Sequence, residues 1–425
     1  MLIKVQNFVE KYIKLLLLIE VLFFAIFTYL VMNEISPINK YDENAYLAHA
    51  ETILISENYW YLGDRNRMPL FNYFLSIFYN LEASEIENYY NLKYANLGLT
   101  SFLAFLFFIK LESKFKNKFI FLNLSFLILI IPIFALIHQL LVESIFFISF
   151  SLLLVYFEQL NDSPNIKNSI KLGIVGTMVY FLKYTGLTVF LAISLFSIVF
   201  GFLNKRNYLK NYFIAFITFF ILASPYLIEN YTKFNKHIFY NVNSEFYIWA
   251  DSWDEIVEGV RANNDRIGWP TMDESELPSL NKYISEHTIS DVYERFLFGF
   301  KSIGVDYFSL NKLGSHISFA SIAIILLILY FARKDKAFSH LKPTYLDIIT
   351  ILTVGFILVS TAFYSYISTG FRYHLPIAIP LFLIIFLKLD KINEISNFNN
   401  FNKIFVYLNS INLLILVNSY INLLP

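Results

Sequence analysis

The residues best equipped for chemistry begin close to the amino end. Asp42 and Glu43 form an adjacent acidic pair in YDENAYLAHAE, and Arg65 and Arg67 form a basic pair in RNRMP, just ahead of Pro69. His138, Glu143, Lys183 and Arg372 are further ionisable residues at the ends or turns of apolar runs. A carboxylate opposite several cations suits attack by a hydroxyl with departure of an anionic group. The positioned carboxylate takes the hydroxyl proton. Lysine and arginine hold a phosphate leaving group, and their charge counts for more where water is excluded.

Each residue also has a plainer reading. Asp42 can complement the dipole at a helix start. Arg65, Arg67 and Arg372 can anchor at a lipid interface, Lys183 can snorkel, and Glu143 can cap or pair locally. His49 falls seven residues after Asp42 with Tyr46 between them, so the three share a helical face. That is half a metal site or a polar surface pair. If Asp42, Glu43, His49 and Glu143 converged, they would suit several divalent cations.

The elements that must position these residues are mostly membrane helix. The 425 residues are 57% hydrophobic and 16% charged, with a mean hydropathy of +0.54. A soluble domain of this size cannot enclose so much apolar surface, and many runs are long enough to cross a hydrocarbon core of about 30 Å. The fold class is an all-α polytopic membrane protein; a β-barrel would require alternating strands instead. A formal net charge of zero gives no bulk field for nucleic acid, and the absence of cysteine removes disulfides and thiolate chemistry. Lys4, Lys11 and Lys14 precede an apolar run without a small-residue cleavage site, which reads as a retained span.

About eleven spans are expected, near residues 13–32, 89–109, 119–137, 144–160, 170–182, 185–202, 212–228, 316–331, 345–367, 374–387 and 404–421. Glu20 in the first span snorkels or faces the bundle. Residues 33–88 form an outer loop with two short interfacial helices, 43–56 and 69–81, the second opened by Pro69. Residues 170–202 read as a hairpin with Lys183 at its tip, because one long helix would hold the lysine at the bilayer centre. Gly173, Gly176 and Gly186 also weaken a single helix. This count puts nearly all clustered Lys and Arg on the cytoplasmic side with the amino end, and gathers the candidate site residues on the other. The organisation is an N-terminal transmembrane module (1–228), an outer segment (229–315) and C-terminal transmembrane helices (316–425). In the outer segment Trp249, Asp251, Trp253 and Asp254 are candidates for recognising sugar or acceptor, although packing of its aromatics onto the membrane is the simpler reading.

The chain resembles the GT-C membrane glycosyltransferases, in the branch of protein mannosyltransferases and aminoarabinose transferases. The matching stretches are YDENAYLAHAE, RMPLFNYFLS, VESIFFISFSLLLVYF, VYFLKYTGLTVFLAI and FRYHLPIAIP, in family order over residues 10 to 390. The resemblance implies a sugar donor carried on a polyprenyl phosphate, a glycan, lipid or protein acceptor, inversion at the sugar carbon, and an active site on the periplasmic or outer face of an inner membrane. It makes Asp42 the candidate general base with Glu43 beside it. Lys183, Arg67 and Arg65, and the pair Arg372 and Tyr373, become candidates for the lipid phosphate, and Glu143, His49 and His138 for orienting acceptor or metal. Arg67 and Met68 precede Pro69 where the family often has lysine and two prolines, and two further departures stand out: no sizeable soluble domain follows the tenth span, and the large outside segment 229–315 takes the middle of the chain. A membrane transporter, or another polyprenyl-phosphate enzyme such as a glycan polymerase, is the alternative reading.

Overall fold

The computed structural model describes residues 2–34, 41–55, 67–130, 139–203, 208–233, 238–239, 242–255, 278–308, 341–364, 373 and 375–396, with scattered positions between 321 and 333. The regular elements among them are helices: α1 (Leu2–Glu34), α2 (Tyr41–Ile55), α3 (Pro69–Ser76), α4 (Glu85–Glu112), α5 (Lys118–Ile128), α6 (Glu143–Asp162), α7 (Ile166–Leu182), α8 (Thr185–Leu203), α9 (Leu209–Lys233), α10 (Val242–Trp249), α11 (Leu280–Glu286), α12 (Ile289–Phe308), α13 (Tyr345–Tyr364) and α14 (Ala378–Ser396). Six of them, α1, α4, α6, α8, α9 and α13, are long and apolar enough to cross a membrane. They turn large apolar side chains outward, among them Ile26, Leu30, Leu195, Phe202, Phe213 and Ile221. So much exposed hydrocarbon suits a lipid solvent.

The expected eleven spans exceed these six. Helices α5 and α7 are shorter, at 11 and 17 residues, and α14 carries Lys388, Asp390, Lys391 and Glu394 in its last turns. The expected span at 404–421, most of 316–331 and the end of 119–137 lie outside the described residues.

Helix α6 is the axis of the bundle. Its most apolar stretch is 78% buried, and apolar side chains on all its faces are enclosed, as in a helix apolar all round. It packs on α4, α7, α8, α13 and α14. Glu20 of α1 faces inward, accepting a 2.6 Å hydrogen bond from the Ser125 hydroxyl of α5.

The expected hairpin is present. Helix α7 ends at Leu182, and Lys183 takes an extended conformation (φ −153°, ψ 135°) before α8 starts at Thr185. The Gly186 N–H returns to the Lys183 carbonyl at 2.8 Å. A Cβ on Gly186 would lie 2.4 Å from the Val179 carbonyl oxygen, so the turn closes only around glycine. A Cβ on Gly176 would meet the Phe190 ring at 2.7 Å, and one on Gly173 the Ala215 carbonyl oxygen at 2.5 Å. These glycines let α7 lie directly against α8 and α9.

Polar groups gather at the two ends of the bundle. At one end Lys114 pairs with Glu158 and Lys388 with Asp347, while Asp390 accepts from the backbone N–H groups of Lys116 (2.8 Å) and Asn117 (2.9 Å). The opposite end holds α2, α3, the starts of α4, α6 and α14, and the Lys183 turn.

Candidate active site at one end of the bundle

Helix α2 is pinned by one buried carboxylate. Glu43 is 6% exposed. It accepts from the Tyr89 hydroxyl (2.7 Å) and the Leu140 backbone N–H (2.7 Å), and the Lys93 ammonium stands 3.9 Å from it. The same ammonium lies over the Tyr89 ring at 4.3 Å. A buried carboxylate and a buried ammonium each need a partner, since either charge alone in apolar surroundings is expensive. Next to this cluster Asn96 donates to the Leu141 carbonyl at 3.2 Å. The turn before α6 is therefore held on both sides, by Glu43 and by Asn96.

That turn delivers Glu143 as the first residue of α6, buried at 4% exposure. The Lys183 ammonium reaches it from the α7–α8 turn at 3.4 Å. It also lies 5.7 Å from the centre of the Phe146 ring and 5.3 Å from that of Tyr373, both within cation–π range. Tyr373 is thus beside Lys183. Arg67 packs its guanidinium over the Tyr46 ring of α2 at 5.2 Å, and Tyr46 meets Phe71 of α3 edge-on at 5.1 Å. Met68 touches the Tyr226 hydroxyl of α9 at 3.5 Å. The two loop-one helices therefore close onto the bundle.

His49 and Tyr46 are both buried, at 4% and 5% exposure, so the surface-pair reading of His49 gives way to an interior one. Asp42 belongs to the first turn of α2, next to Glu43; its side chain, and Arg65, His138 and Arg372 entirely, lie outside the described residues. Among the described residues no group of three or more His, Asp or Glu side chains converges on a metal position.

Three residues escaped the sequence reading: Tyr89, Lys93 and Asn96. With Thr100 they recur at helical spacing and are buried together on α4, and that polar stripe on an apolar helix was the available signal. Glu245 of α10 also went unremarked. Burial pushes its carboxyl up to about 7, and its charge is felt at Tyr184, the neighbour of Lys183.

The segment between α9 and α13 is stapled by a buried arginine. Arg295 of α12, 1% exposed, donates to the carbonyls of Tyr247 (2.8 Å), Ala250 (3.0 Å) and Phe363 (3.0 Å). Asp251 stands 3.5 Å from it and 2.6 Å from His287 Nε2. Trp249 donates to Glu286 at 2.7 Å. Trp249 and Asp251 thus hold this segment together, while Trp253 is 53% exposed.

No protein-family model, no curated protein and no solved structure matches this chain. The resemblance to the GT-C enzymes rests on its motifs.

Proposed function

We propose that the protein is an inverting glycosyltransferase that moves a sugar from a polyprenyl-phosphate carrier to a cell-envelope acceptor, with its site at the Lys183 end of a GT-C-like bundle of about eleven spans. The observation that carries the reading is the Glu143–Lys183–Tyr373 cluster, joined through the turn before α6 to the buried Glu43 that anchors α2. Loops far apart in sequence meet there, and a merely solvated helix end requires none of these contacts.

In this reading Asp42 takes the proton of the acceptor hydroxyl. The hydroxyl oxygen attacks the anomeric carbon from the face opposite the leaving group, and the bond from that carbon to the lipid phosphate breaks. The electron pair leaves with the phosphate, whose charge Lys183 and Arg67, with Arg65, Arg372 and Tyr373, receive. Glu43 is already engaged by Tyr89, Leu140 and Lys93, so its part is to hold α2 and leave proton transfer to Asp42. Glu143 holds the Lys183 ammonium until a phosphate competes for it. The amino end and the Lys114 end of the bundle then face the cytoplasm, since clustered cations favour that side, and the site faces the periplasm or exterior of an inner membrane.

The test is transfer by the purified protein in liposomes, with radiolabelled polyprenyl-phosphate sugars compared against nucleotide sugars. Release of free polyprenyl phosphate with an inverted product is expected only from the former. Asp42→Asn should lower turnover by about 10²–10⁴-fold, the usual worth of a general base, without loss of folded protein. Full activity in that variant would remove Asp42 from the mechanism, and solute uptake without group transfer would favour the transporter.

A further inference from the structure

A second feature lies on the other face of α4, turned away from Lys93. Two adjoining cavities form one groove along α4, the first against the end of α1 and the loop before α4, the second against Phe74 of α3 and Phe78 just after it. The first, about 800 Å³, is lined by Asn33, Asn80, Glu82, Glu87, Tyr90, Asn91 and Tyr94, together with Ala83 and Ile86. The second, about 520 Å³, shares Asn91 and Tyr94 and continues past Phe74, Phe78, Gly98, Leu99 and Phe102. The groove is therefore polar at its mouth and hydrocarbon along its length. From Asn91 to Phe102 it follows α4 for about 16 Å at 1.5 Å per residue, from the end of the span toward its middle.

The mouth is built rather than accidental. Asn88 accepts from the Asn80 N–H at 2.8 Å and donates to the Asn80 carbonyl at 2.8 Å, folding the preceding loop back on α4. The Ser84–Glu87 capping box closes the helix start. The Tyr90 and Tyr94 rings stack at 6.1 Å with planes 28° apart, and Tyr29 adds a third ring 5.1 Å from Tyr94. Among the described residues neither cavity lining contains a lysine or arginine, and the mouth has two carboxylates. A phosphate headgroup would meet the negative charge of Glu82 and Glu87 there. A sugar suits the mouth better: its hydroxyls can donate to the Glu82 carboxylate and pair with the Asn91 amide, and its apolar face can lie on tyrosine rings; Asn33 and Glu87 are already bonded to Tyr94 and Ser84 and shape the mouth.

We infer that this groove binds a membrane glycolipid, with its uncharged sugar headgroup among Asn33, Asn80, Asn91 and the tyrosines and its hydrocarbon chain along Gly98 and Phe102. The inference stands whether or not the chain transfers sugars.

The experiment reconstitutes the full chain in phosphatidylcholine nanodiscs doped with either monoglucosyl diacylglycerol or phosphatidylglycerol, each carrying the same photoreactive group on one acyl chain. Labelled positions are mapped by peptide mass spectrometry, with the exposed Phe213–Ile221 face of α9 as the reference for ordinary lipid contact. Labelling at 95–102 relative to that face should be about tenfold higher with the sugar lipid, a preference worth a few well-made polar contacts. Gly98→Phe should abolish the excess by filling the groove; nothing lies within 4 Å of where its Cβ would be, so the helix accommodates it. Glu82→Lys, at an exposed position, should raise the phosphatidylglycerol share. Equal enrichment of the two lipids, no enrichment of either, or sugar-lipid labelling unchanged by Gly98→Phe would overturn the assignment.

Discussion

Glu43 and Lys93 show how a single carboxylate can position a helix. Either Glu43→Gln or Lys93→Met leaves the other charge buried without its counter-ion, which should cost about 3–5 kcal/mol. The double variant should be less destabilised than the two singles added together, because it removes the orphaned charge as well. Reversible unfolding in mixed micelles measures this cycle, and strict additivity would mean that the two groups do not act as a pair. His287 gives a second residue-scale prediction. Its Nδ1 faces the Tyr283 carbonyl at 2.8 Å and its Nε2 faces the Asp251 carboxylate at 2.6 Å, so only the doubly protonated ring donates to both. Partial burial works against the cation, but these two acceptors outweigh it and raise the pKa above the ordinary 6.5. The contribution to stability is then complete below about 6.5 and is lost as pH rises through the higher folded value. Amide protection in 278–308, with the intrinsic base-catalysed rate divided out, should fall over that range, and His287→Gln should remove the fall; an unchanged profile in the variant would assign it elsewhere. Of these residues the sequence singled out Glu43, by its place beside an apolar run, and Asp251, by its place among tryptophans. Lys93 was hidden because one lysine inside a span reads as tolerated charge until its polar neighbours on the same face are counted.

At the scale of elements, the hairpin was legible because a lysine at the bilayer centre is costly enough to break a helix. The two loop-one helices were legible from Pro69 and from the acidic start of α2, within a few residues of their observed limits. The close helix contacts were not, because a glycine that weakens a helix and a glycine that lets another backbone approach look alike in a sequence. Gly186→Ala separates the two roles. A helix-propensity effect alone would be stabilising by about 1 kcal/mol, whereas a Cβ pressed on the Val179 carbonyl should open the turn and lower stability. Thermal unfolding with Lys183 accessibility as a second readout decides it; a stabilised protein would refute the close-packing account. Arg295 was equally illegible. Its acceptors at Tyr247, Ala250 and Phe363 come from segments that only the fold brings together.

Across the whole molecule, ion pairs of both signs gather at the two ends of an apolar bundle. At one end the lysines and carboxylates tie helices to each other through Glu158, Asp347 and Asp390. At the other, Glu43 of α2 pairs with Lys93 of α4, and Glu143 at the α6 start pairs with Lys183 of the α7–α8 turn. The composition made the apolar bundle plain. Chemical identity is less legible, because the motifs are short and the same charges would serve any lipid phosphate. The absence of cysteine from the chain allows the central claim to be tested directly. Asp42→Cys and Lys183→Cys, introduced together in membranes, should be joined by a thiol-reactive linker spanning about two helical turns, roughly 11 Å. Failure of that pair to join, while a Glu143→Cys and Lys183→Cys control pair does, would contradict a shared site.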